Sequence, residues 1–300
     1  MKQPKQNKSV ELPENGIDRR DFFAGAAGLA VTAMGIGEAS AGGHLSKPVV
    51  LSAVDKAPRP LVAGHRILVT GANRGLGFEF TRQYADLGAK IIATARTPER
   101  ADALNALAAD NENITVEQLD VTNHAAIVDL AAKYKDVPID ILLNNAGIGG
   151  GIENQLFGKM DYDTFDQVMA VNVKGPIKMC EAFRKNVEAS ELKKMITVSS
   201  SQGSIAGVTM PMLYWYRSSK SAINMIMANL ALQLNRKKII IGLVTPGATA
   251  TDFIPESFRK AIKGIQTPPD ATADMMRNIE RFTVETSGTF YDYDGSIVPW

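Results

Sequence analysis

Short runs of apolar and β-branched residues alternate with longer amphipathic stretches from residue 65 onward. This alternation predicts parallel strands joined by helices, because a run of buried apolar residues is typical of a strand covered on both faces. Seven strands are predicted, near residues 66–70, 90–94, 115–119, 139–143, 194–199, 239–244 and 289–292. Apolar residues at three- and four-residue spacing predict the clearest helices over 75–87, 123–134, 162–187 and 216–235. Right-handed crossovers would wind these elements into a single α/β domain with a doubly wound, mostly parallel sheet.

Residues 1–43 do not share this pattern and resemble a bacterial twin-arginine export signal. The segment Asp18-Arg19-Arg20-Asp21-Phe22-Phe23 precedes a run of small and apolar residues over 24–37, and Ala39-Ser40-Ala41 offers a small-x-small cleavage site. The run is too short to cross a hydrocarbon core of ~30 Å comfortably, so stable membrane insertion is not expected. We expect export to the periplasm, a proline-containing linker over 44–63 and the folded domain over 64–300. An amphipathic or disordered tail on a cytoplasmic protein is the alternative.

The composition excludes some classes of function. Apolar residues make up 45% of the chain and charged residues 22%, and a formal net charge of +1 gives no broad basic field for nucleic acid. Cys180 is the only cysteine, so an intrachain disulfide is excluded and a buried position on a helix is expected. His44, His65 and His124 have no partner at ligand spacing, so no metal site is expected.

A glycine-rich segment, Thr70-Gly71-Ala72-Asn73-Arg74-Gly75-Leu76-Gly77, follows the first predicted strand and opens the first predicted helix. Gly71 permits a tight turn, Gly75 lets the backbone approach a pyrophosphate and Gly77 allows close packing of helix on strand. The helix N-terminus adds free N–H donors and a positive dipole end for phosphates. This placement predicts a Rossmann dinucleotide site, with a purely structural turn as the alternative.

The end of the second predicted strand, Ala93-Thr94-Ala95-Arg96, lacks the acidic residue that usually binds the ribose 2′-hydroxyl of NAD. Arg96 and Arg74 would instead pair with the 2′-phosphate of NADP(H), since guanidinium groups suit phosphate geometry. NADP(H) is therefore the predicted cofactor, with two solvated surface charges as the alternative. Asp120, next to Val121 after the third strand, is placed to meet the adenine edge, or to cap a helix.

Tyr216 and Lys220 lie four residues apart on a predicted helix, so the phenol and the ammonium share one face. A phenol of pKa ~10 is a poor base at neutral pH, and the nearby cation is expected to lower that pKa. Tyr216 would then donate a proton to a carbonyl oxygen as hydride arrives, or remove one from an alcohol. Tyr214 has Ser218 as its fourth neighbour and cannot play this part.

Five further motifs follow the glycine segment, including the Tyr216/Lys220 pair. They are Asn144-Asn145-Ala146-Gly147, Val171-Asn172-Val173, Ser199-Ser200-Ser201-Gln202-Gly203, Tyr216 with Lys220, and Pro246-Gly247. Their identity and order resemble the short-chain dehydrogenase/reductase family over about residues 66–300. The ending over 288–295, with Pro299-Trp300, is similar to the C-factor/sniffer-like carbonyl reductase branch, which is NADPH-linked. The resemblance implies an NADP-dependent oxidoreductase of carbonyl or alcohol substrates that forms a homo-dimer or tetramer.

The resemblance also implies roles for single residues. Ser200, three residues before Gly203, would orient the substrate, with Ser201 as its nearest rival. Lys220 would also bind the nicotinamide ribose, and Asn172 would hold a water that relays protons to it. The catalytic set is Ser200, Tyr216, Lys220 and Asn172. The cofactor-binding set is Gly71, Asn73, Arg74, Gly75, Leu76, Gly77, Arg96, Asp120, Val121, Asn145, Ala146, Gly147, Tyr216, Lys220, Pro246, Gly247 and Thr251, with a structural strand-linking role as the alternative for Asn145.

Three mostly apolar segments would define the substrate: the loop after Gly147, residues 208–215 and residues 253–269. Their large side chains predict a hydrophobic carbonyl compound, with core or dimer contacts as the alternative. The residues concerned are Leu156, Phe157, Met210, Met212, Trp215, Phe253 and Phe258. A protein that senses NADP(H) without turnover is the alternative function, and the intact Tyr216/Lys220 pair argues against it.

Overall fold

A computed structural model describes residues 62–300 of the chain. The predicted export signal and nearly all of the predicted linker lie outside the described residues. Val62 is fully buried in the core of the domain. No helix within 62–300 has both the length and the apolar character needed to cross a membrane.

Seven parallel strands in the described region form one sheet in the order β3-β2-β1-β4-β5-β6-β7. They are β1 Arg66–Val69, β2 Lys90–Ala95, β3 Ile114–Gln118, β4 Ile141–Asn144, β5 Lys194–Val198, β6 Ile240–Val244 and β7 Phe290–Tyr291. Ile67 on β1 is in register with Ile91 on one side and Ile141 on the other. The winding direction therefore reverses at β1, which opens a crevice at the carboxyl ends of the strands. The predicted doubly wound seven-stranded sheet in a single domain is confirmed.

The described region contains eight α-helices, and the longer ones flank the sheet. They are α1 Gly75–Asp86, α2 Asp102–Ala109, α3 His124–Lys133, α4 Tyr162–Met169, α5 Gly175–Glu188, α6 Tyr214–Leu234, α7 Glu256–Arg259 and α8 Pro268–Arg281. The helix predicted over 162–187 is not continuous, because a π-helical segment, Ala170–Lys174, separates α4 from α5. Pro176 follows this segment and has no N–H to donate to the carbonyl of Asn172, which accounts for the irregular turn.

Alternate residues of the strands supply two separate cores. Ile67 and Val69 pack with Phe80 of α1 and Met275 of α8 on one face. Leu68 packs on the other face with residues of α5 and α6, including Phe183, Ile223 and Met227. Because successive side chains of a strand point to opposite faces, helices on both sides are needed to bury them. The sheet is thereby held rigid beneath the crevice.

Candidate active site

The glycine turn after β1 has a backbone that requires glycine. Gly71 and Gly75 have φ angles of +68° and +55°, which lie in the left-handed region that side chains disfavour. A Cβ at Gly77 would lie 2.1 Å from the carbonyl oxygen of Gly71, so α1 approaches β1 only because residue 77 has no side chain. Asn73 is exposed and Leu76 is half-buried. The N–H groups that open α1 therefore lie at the carboxyl end of β1, where a pyrophosphate would need them.

Asn145 fastens the end of β4 to this turn. Its side-chain amide donates to the carbonyl oxygens of Thr70 at 2.9 Å and Gly71 at 3.2 Å. The Thr70 hydroxyl accepts from the backbone N–H groups of Asn145 and Ala146 at 3.0 and 3.1 Å. This is the geometry of the strand-linking alternative, because the amide is already engaged by the protein. Gly147 follows Ala146 and lies beside Lys220. A Cβ added to Gly147 would be 3.8 Å from the Lys220 ammonium.

The two arginines expected at the 2′-phosphate differ in their surroundings. Arg96 is exposed and directly follows the end of β2. Arg74 donates to the carboxylate of Asp252 at 2.9 Å, and both side chains are more than two-thirds exposed. Asp252 was not expected as a partner of the glycine turn. An exposed pair of this kind is weak, so the Arg74 guanidinium can be recruited by a phosphate.

Asp120 does not cap α3. Its carboxylate accepts from the backbone N–H of Thr122 at 2.9 Å and from the Thr122 hydroxyl at 2.7 Å. Asn123 is the N-cap, accepting from Ala126 N at 3.1 Å. The capping alternative for Asp120 is therefore wrong. Val121 is buried and lies within 3.1 Å of a Cβ placed on Gly175, so it belongs to the contact between this loop and α5.

Tyr216 and Lys220 lie on the buried face of α6, as their spacing predicted. The Lys220 ammonium is 5.7 Å from the centre of the Tyr216 ring and donates to the carbonyl oxygen of Val198, at the end of β5, at 2.9 Å. Burial lowers the pKa of Lys220 to about 8. Burial also raises the pKa of Tyr216 to about 12, against a hydrogen bond from Ser200 that lowers it. The expectation of a lowered phenol pKa is thus wrong, because desolvation outweighs the hydrogen bond from Ser200, and the phenol is protonated at neutral pH.

Ser200, rather than Ser201, is the serine that interacts with the Tyr216 phenol. Its hydroxyl is hydrogen-bonded to Tyr216 and also accepts from Gln202 N at 3.2 Å. Ser201 instead donates its backbone N–H to the Thr245 hydroxyl at 3.3 Å. The 3-10 turn Ser201–Gly203 begins here, and a Cβ on Gly203 would lie 2.7 Å from Cβ of Lys220. The glycine thus permits the serine turn to pack directly on α6.

Asn172 lies in the π-helical segment and is 1% exposed. Its oxygen accepts from Ile148 N at 2.9 Å, and its nitrogen donates to Ile148 O at 2.9 Å and to the Ser219 hydroxyl at 3.0 Å. The amide therefore clamps the loop after β4 onto the α4–α5 junction. A water relay to Lys220 could use the remaining lone pair of the Asn172 side-chain oxygen or the Asn172 backbone carbonyl, to which Pro176 donates no hydrogen bond.

The loop after β6 completes the crevice. Gly247 has φ +65°, and a Cβ there would lie 2.6 Å from the ring of Tyr293, so the chain's last loop supports Pro246-Gly247 from behind. The methyl of Thr251 is 3.6 Å from the position of a Cβ on Gly75, which brings this loop to the glycine turn. Sequence reasoning did not identify Tyr293, since the sequence carries no signal for a contact this remote.

The large apolar residues expected at the substrate do not all lie together. Phe253 packs on the Tyr216 ring with centroids 4.9 Å apart, so it borders the reacting hydroxyl. Trp215 contacts Tyr162 at 5.5 Å and Phe165 at 4.8 Å, both on α4. It therefore takes the packing role named as the alternative. Gln155 was missed by sequence reasoning: it is buried and bonded to the backbone N–H of Tyr216 at 3.0 Å.

Together, the sheet, the glycine turn and the Ser200/Tyr216/Lys220 cluster define the class of an NAD(P)-dependent carbonyl/alcohol oxidoreductase. A short chain dehydrogenase family profile matches residues 65–261. The chain belongs to the short chain dehydrogenase family.

Individual relatives agree with this assignment. The chain is 34% identical over 237 residues to 1-hydroxy-2-glutathionyl-2-methyl-3-butene dehydrogenase of Rhodococcus sp. strain AD45, covering 78% of this chain and 99% of that protein. The carbonyl reductase Sniffer of D. melanogaster superposes with a TM-score of 0.70 and 26% identity, over 79% of this chain and 100% of Sniffer. NADPH-bound carbonyl reductase from chicken fatty liver gives a TM-score of 0.70 and 25% identity over the same shares. The predicted carbonyl reductase-like branch is thereby supported.

Proposed function

We propose that this oxidoreductase uses NADP(H) and works as a reductase of hydrophobic carbonyl compounds. The observation that carries the proposal is the placement of the Tyr216 phenol beside Ser200, with its ring centre 5.7 Å from the Lys220 ammonium, at the carboxyl end of β5. A protonated phenol there can donate to a carbonyl oxygen as hydride reaches the carbon. The likeness to carbonyl reductases supports the reductive direction.

The crevice fits a nicotinamide dinucleotide phosphate. The glycine turn leaves room for a pyrophosphate against the first N–H groups of α1, and Arg96 with Arg74 suits a 2′-phosphate. The described residues offer Lys220 no carboxylate partner, and its bond to Val198 O uses one of three donors. The remaining donors suit the nicotinamide ribose hydroxyls beside Gly147. When bound, the cofactor supplies the hydride.

Binding of the carbonyl oxygen and transfer of the proton are carried out by residues of the chain. Ser200 and Tyr216 would both bind the carbonyl oxygen, holding it where negative charge develops as hydride reaches the carbon. The Tyr216 O–H bond then breaks and its proton forms the hydroxyl of the product alcohol. The Lys220 ammonium stabilises the phenolate that is left until it is reprotonated. Phe253 and its neighbours supply an apolar wall for the rest of the substrate.

Purified protein assayed for NADPH consumption against aldehydes and ketones tests this function. Tyr216→Phe is expected to reduce kcat about 10²- to 10⁴-fold, the usual contribution of general acid catalysis, with an unchanged Kd for NADPH. Tyr214→Phe, on the same helix two residues away, is the matched control and should retain activity. Equal activity of both variants would contradict the role of Tyr216. Binding of NADPH without turnover of any carbonyl would favour the sensor alternative.

We also propose export to the periplasm by the twin-arginine route. Support comes from Arg19-Arg20 with the following Phe22-Phe23, the small-residue run over 24–37 and Ala39-Ser40-Ala41. That route carries folded proteins, which suits an enzyme that must bind its nucleotide before export. A reporter fused to residues 1–43 should be exported, and export should cease when Arg19 and Arg20 are both changed to Lys. Continued export would exclude this route.

A homo-oligomer formed through α6 is the proposed assembly. Met225 and Leu232 lie seven residues apart on this helix, on one face, and are 66% and 77% exposed. Large apolar side chains repeated on one exposed face are typical of an interface. The double variant Met225→Lys with Leu232→Glu should lower the mass measured by light scattering to that of the monomer. A monomeric wild-type protein would refute the proposal.

A further inference from the structure

Gln155 joins two walls of the active site through one side chain. It ends the 3-10 turn Glu153–Gln155 in the loop after β4 and is 2% exposed. Its amide nitrogen donates to the carbonyl oxygens of Gly149 at 2.7 Å and Gly151 at 2.6 Å. Its amide oxygen accepts from the backbone N–H of Tyr216 at 3.0 Å. Both donors of the amide and one acceptor lone pair are therefore used inside the protein.

The bond to Tyr216 supplies a helix cap from a distant part of the chain. The first N–H groups of a helix have no partner within the helix. Leu213, in the N-cap position of α6, has φ +54° and its side chain makes no capping hydrogen bond. Gln155 provides an acceptor to the first turn of α6, at the residue that carries the phenol. The orientation of that turn thus depends on a side chain 61 positions earlier.

The other end of Gln155 holds the glycine segment 149–151 of the loop after β4, which Asn172 also holds through Ile148 and Asn154 through Gly150 O. Gly150 and Gly151 have φ angles of +80° and +74°, and glycines contribute no side-chain anchors. Phe253 touches this loop, lying 3.0 Å from the position of a Cβ on Gly149, and also packs on the Tyr216 ring. Movement of the loop would therefore change two contacts of Tyr216, the hydrogen bond from its backbone N–H to Gln155 and the packing of Phe253 on its ring.

We propose that Gln155 is a positioning residue, which fixes the Tyr216 phenol relative to the loop after β4 and acts on proton transfer through Tyr216. The proposal rests on the proposed reductase function. Gln155→Met keeps the length of the side chain and removes all three hydrogen bonds. It is expected to lower kcat about ten- to a hundredfold, as small misplacements of a catalytic group do, and to leave the Kd for NADPH unchanged.

Gln155→Glu should have a pH-dependent effect on kcat, which a general packing defect would not produce. A protonated carboxyl can still donate to one glycine carbonyl and accept from Tyr216 N, whereas a carboxylate can only accept and would face the carbonyls of Gly149 and Gly151. Burial raises the pKa of the introduced carboxyl. The ratio of variant to wild-type kcat should therefore be near one at acidic pH and fall as pH rises, while the Gln155→Met ratio stays low throughout.

The matched control is Asn154→Asp. Asn154 lies in the same turn and donates to Gly150 O at 3.0 Å without contacting Tyr216. The substitution adds the same charge to the same loop but leaves the bond to Tyr216 intact. The ratio of its kcat to that of the wild type should therefore not change with pH. The titratable side chains of the loop, α4 and the first half of α6 remain in every variant, so their effects cancel in the ratio to wild type; they are Glu153, Lys159, Asp161, Tyr162, Asp163, Asp166, Tyr214, Tyr216, Arg217 and Lys220.

Three results in solution would overturn the proposal: a Gln155→Glu ratio that is level across pH, wild-type kcat in Gln155→Met, or a Gln155→Glu protein that is unfolded even at acidic pH. A crystal structure of Gln155→Met provides a test that needs no turnover. We expect the first turn of α6 to shift relative to Gly149, and an unmoved Tyr216 would also overturn the proposal. Absence of carbonyl reduction by the wild-type enzyme would instead refute the proposed function and leave this structural test to decide the role of Gln155.

Discussion

The Lys220 ammonium donates to the carbonyl oxygen of Val198 at 2.9 Å and is almost fully buried. The helix that carries the catalytic phenol is thereby joined to the end of β5. A buried ammonium with a carbonyl as its partner loses hydration without gaining a counter-charge, which is why burial lowers the pKa of Lys220 to about 8. The burial of this ammonium therefore has two expected consequences: activity falls when the group loses its proton, and the charged group lowers the free energy of unfolding.

The value of kcat/KM for NADPH should fall as pH rises through about 8. Below that pH the Lys220 side chain is charged and can donate to the cofactor; above it the group is neutral. Tyr216 stays protonated over this range, since its pKa is raised to about 12. The measurement is a pH profile of kcat/KM, which reports groups of the free enzyme. A profile that is level to about pH 10 would contradict the assignment to Lys220.

Lys220→Met should raise the free energy of unfolding while abolishing turnover. The pKa of Lys220 is lower in the folded state than its ordinary value of 10.5, so the charged group destabilises the fold by about 3 kcal/mol below pH 8. Loss of the bond to Val198 O offsets part of this gain. The advantage of the variant should shrink between about pH 8 and 10 as the folded wild-type protein loses its proton. Thermal melts at several pH values measure this.

Lys194→Met serves as the contrast to that variant. Lys194 is also buried with a lowered pKa, but its ammonium donates to the carbonyl oxygens of Ile279 at 2.9 Å and Glu280 at 3.1 Å, at the end of α8. The negative charge of Glu280 and the helix C-terminus favour this cation, but its pKa is still lowered, so burial outweighs both. By the same linkage Lys194→Met should raise the melting temperature, but by less than Lys220→Met does. A larger rise for Lys194→Met than for Lys220→Met would refute the argument from burial.

Arg96→Ala should weaken binding of NADPH far more than binding of NADH. A hydrogen bond to a charged group contributes about 1.5–3 kcal/mol, so the Kd for NADPH should rise about ten- to a hundredfold. Fluorescence titration with both cofactors measures the difference. Arg100→Ala, an exposed arginine in the next turn of the chain, is the control. Equal losses for the two cofactors would remove the basis for NADP(H) preference at this residue.

Phe253→Ala should raise KM for large apolar ketones and leave KM for small aldehydes nearly unchanged. The ring packs on Tyr216 at 4.9 Å yet is 44% exposed, so it offers apolar surface beside the reacting hydroxyl. Burying a side chain of this size is worth about 1.5–3 kcal/mol, which corresponds to at least a tenfold change in KM. Phe157→Ala, at an 85% exposed ring in the loop after β4, should have no such effect. A similar change in both variants would argue against Phe253 as a substrate contact.

Gly77→Ala should destabilise the fold and remove cofactor binding. The added Cβ would lie 2.1 Å from a backbone oxygen, that of Gly71, so α1 must move away from β1 at a cost of about 1–3 kcal/mol. Gly207→Ala is the control, since its nearest neighbour is a side-chain atom, Ser204 Oγ at 3.3 Å. Denaturant melts and NADPH titration of both variants test the claim, and wild-type binding by Gly77→Ala would contradict it.

The sequence by itself determined the order of strands and helices, the glycine turn and the shared face of Tyr216 and Lys220. These features depend on local periodicity: alternate burial along strands, a 3.6-residue repeat in helices and the backbone freedom of glycine. One local signal was overlooked. Thr267 followed by Pro268, Pro269 and Asp270 is a helix start, and α8 begins there with Thr267 as its N-cap.

Only the tertiary structure decided the chemistry within the crevice. The bond from Tyr216 N to Gln155, the support of Gly247 by Tyr293 and the packing of Phe253 on Tyr216 all join residues remote in sequence. The direction of the phenol pKa shift also reversed, because spacing reveals a neighbouring charge whereas burial is decided by the whole fold. Local pattern predicts which groups share a face, but long-range packing sets their hydration, their partners and hence their protonation.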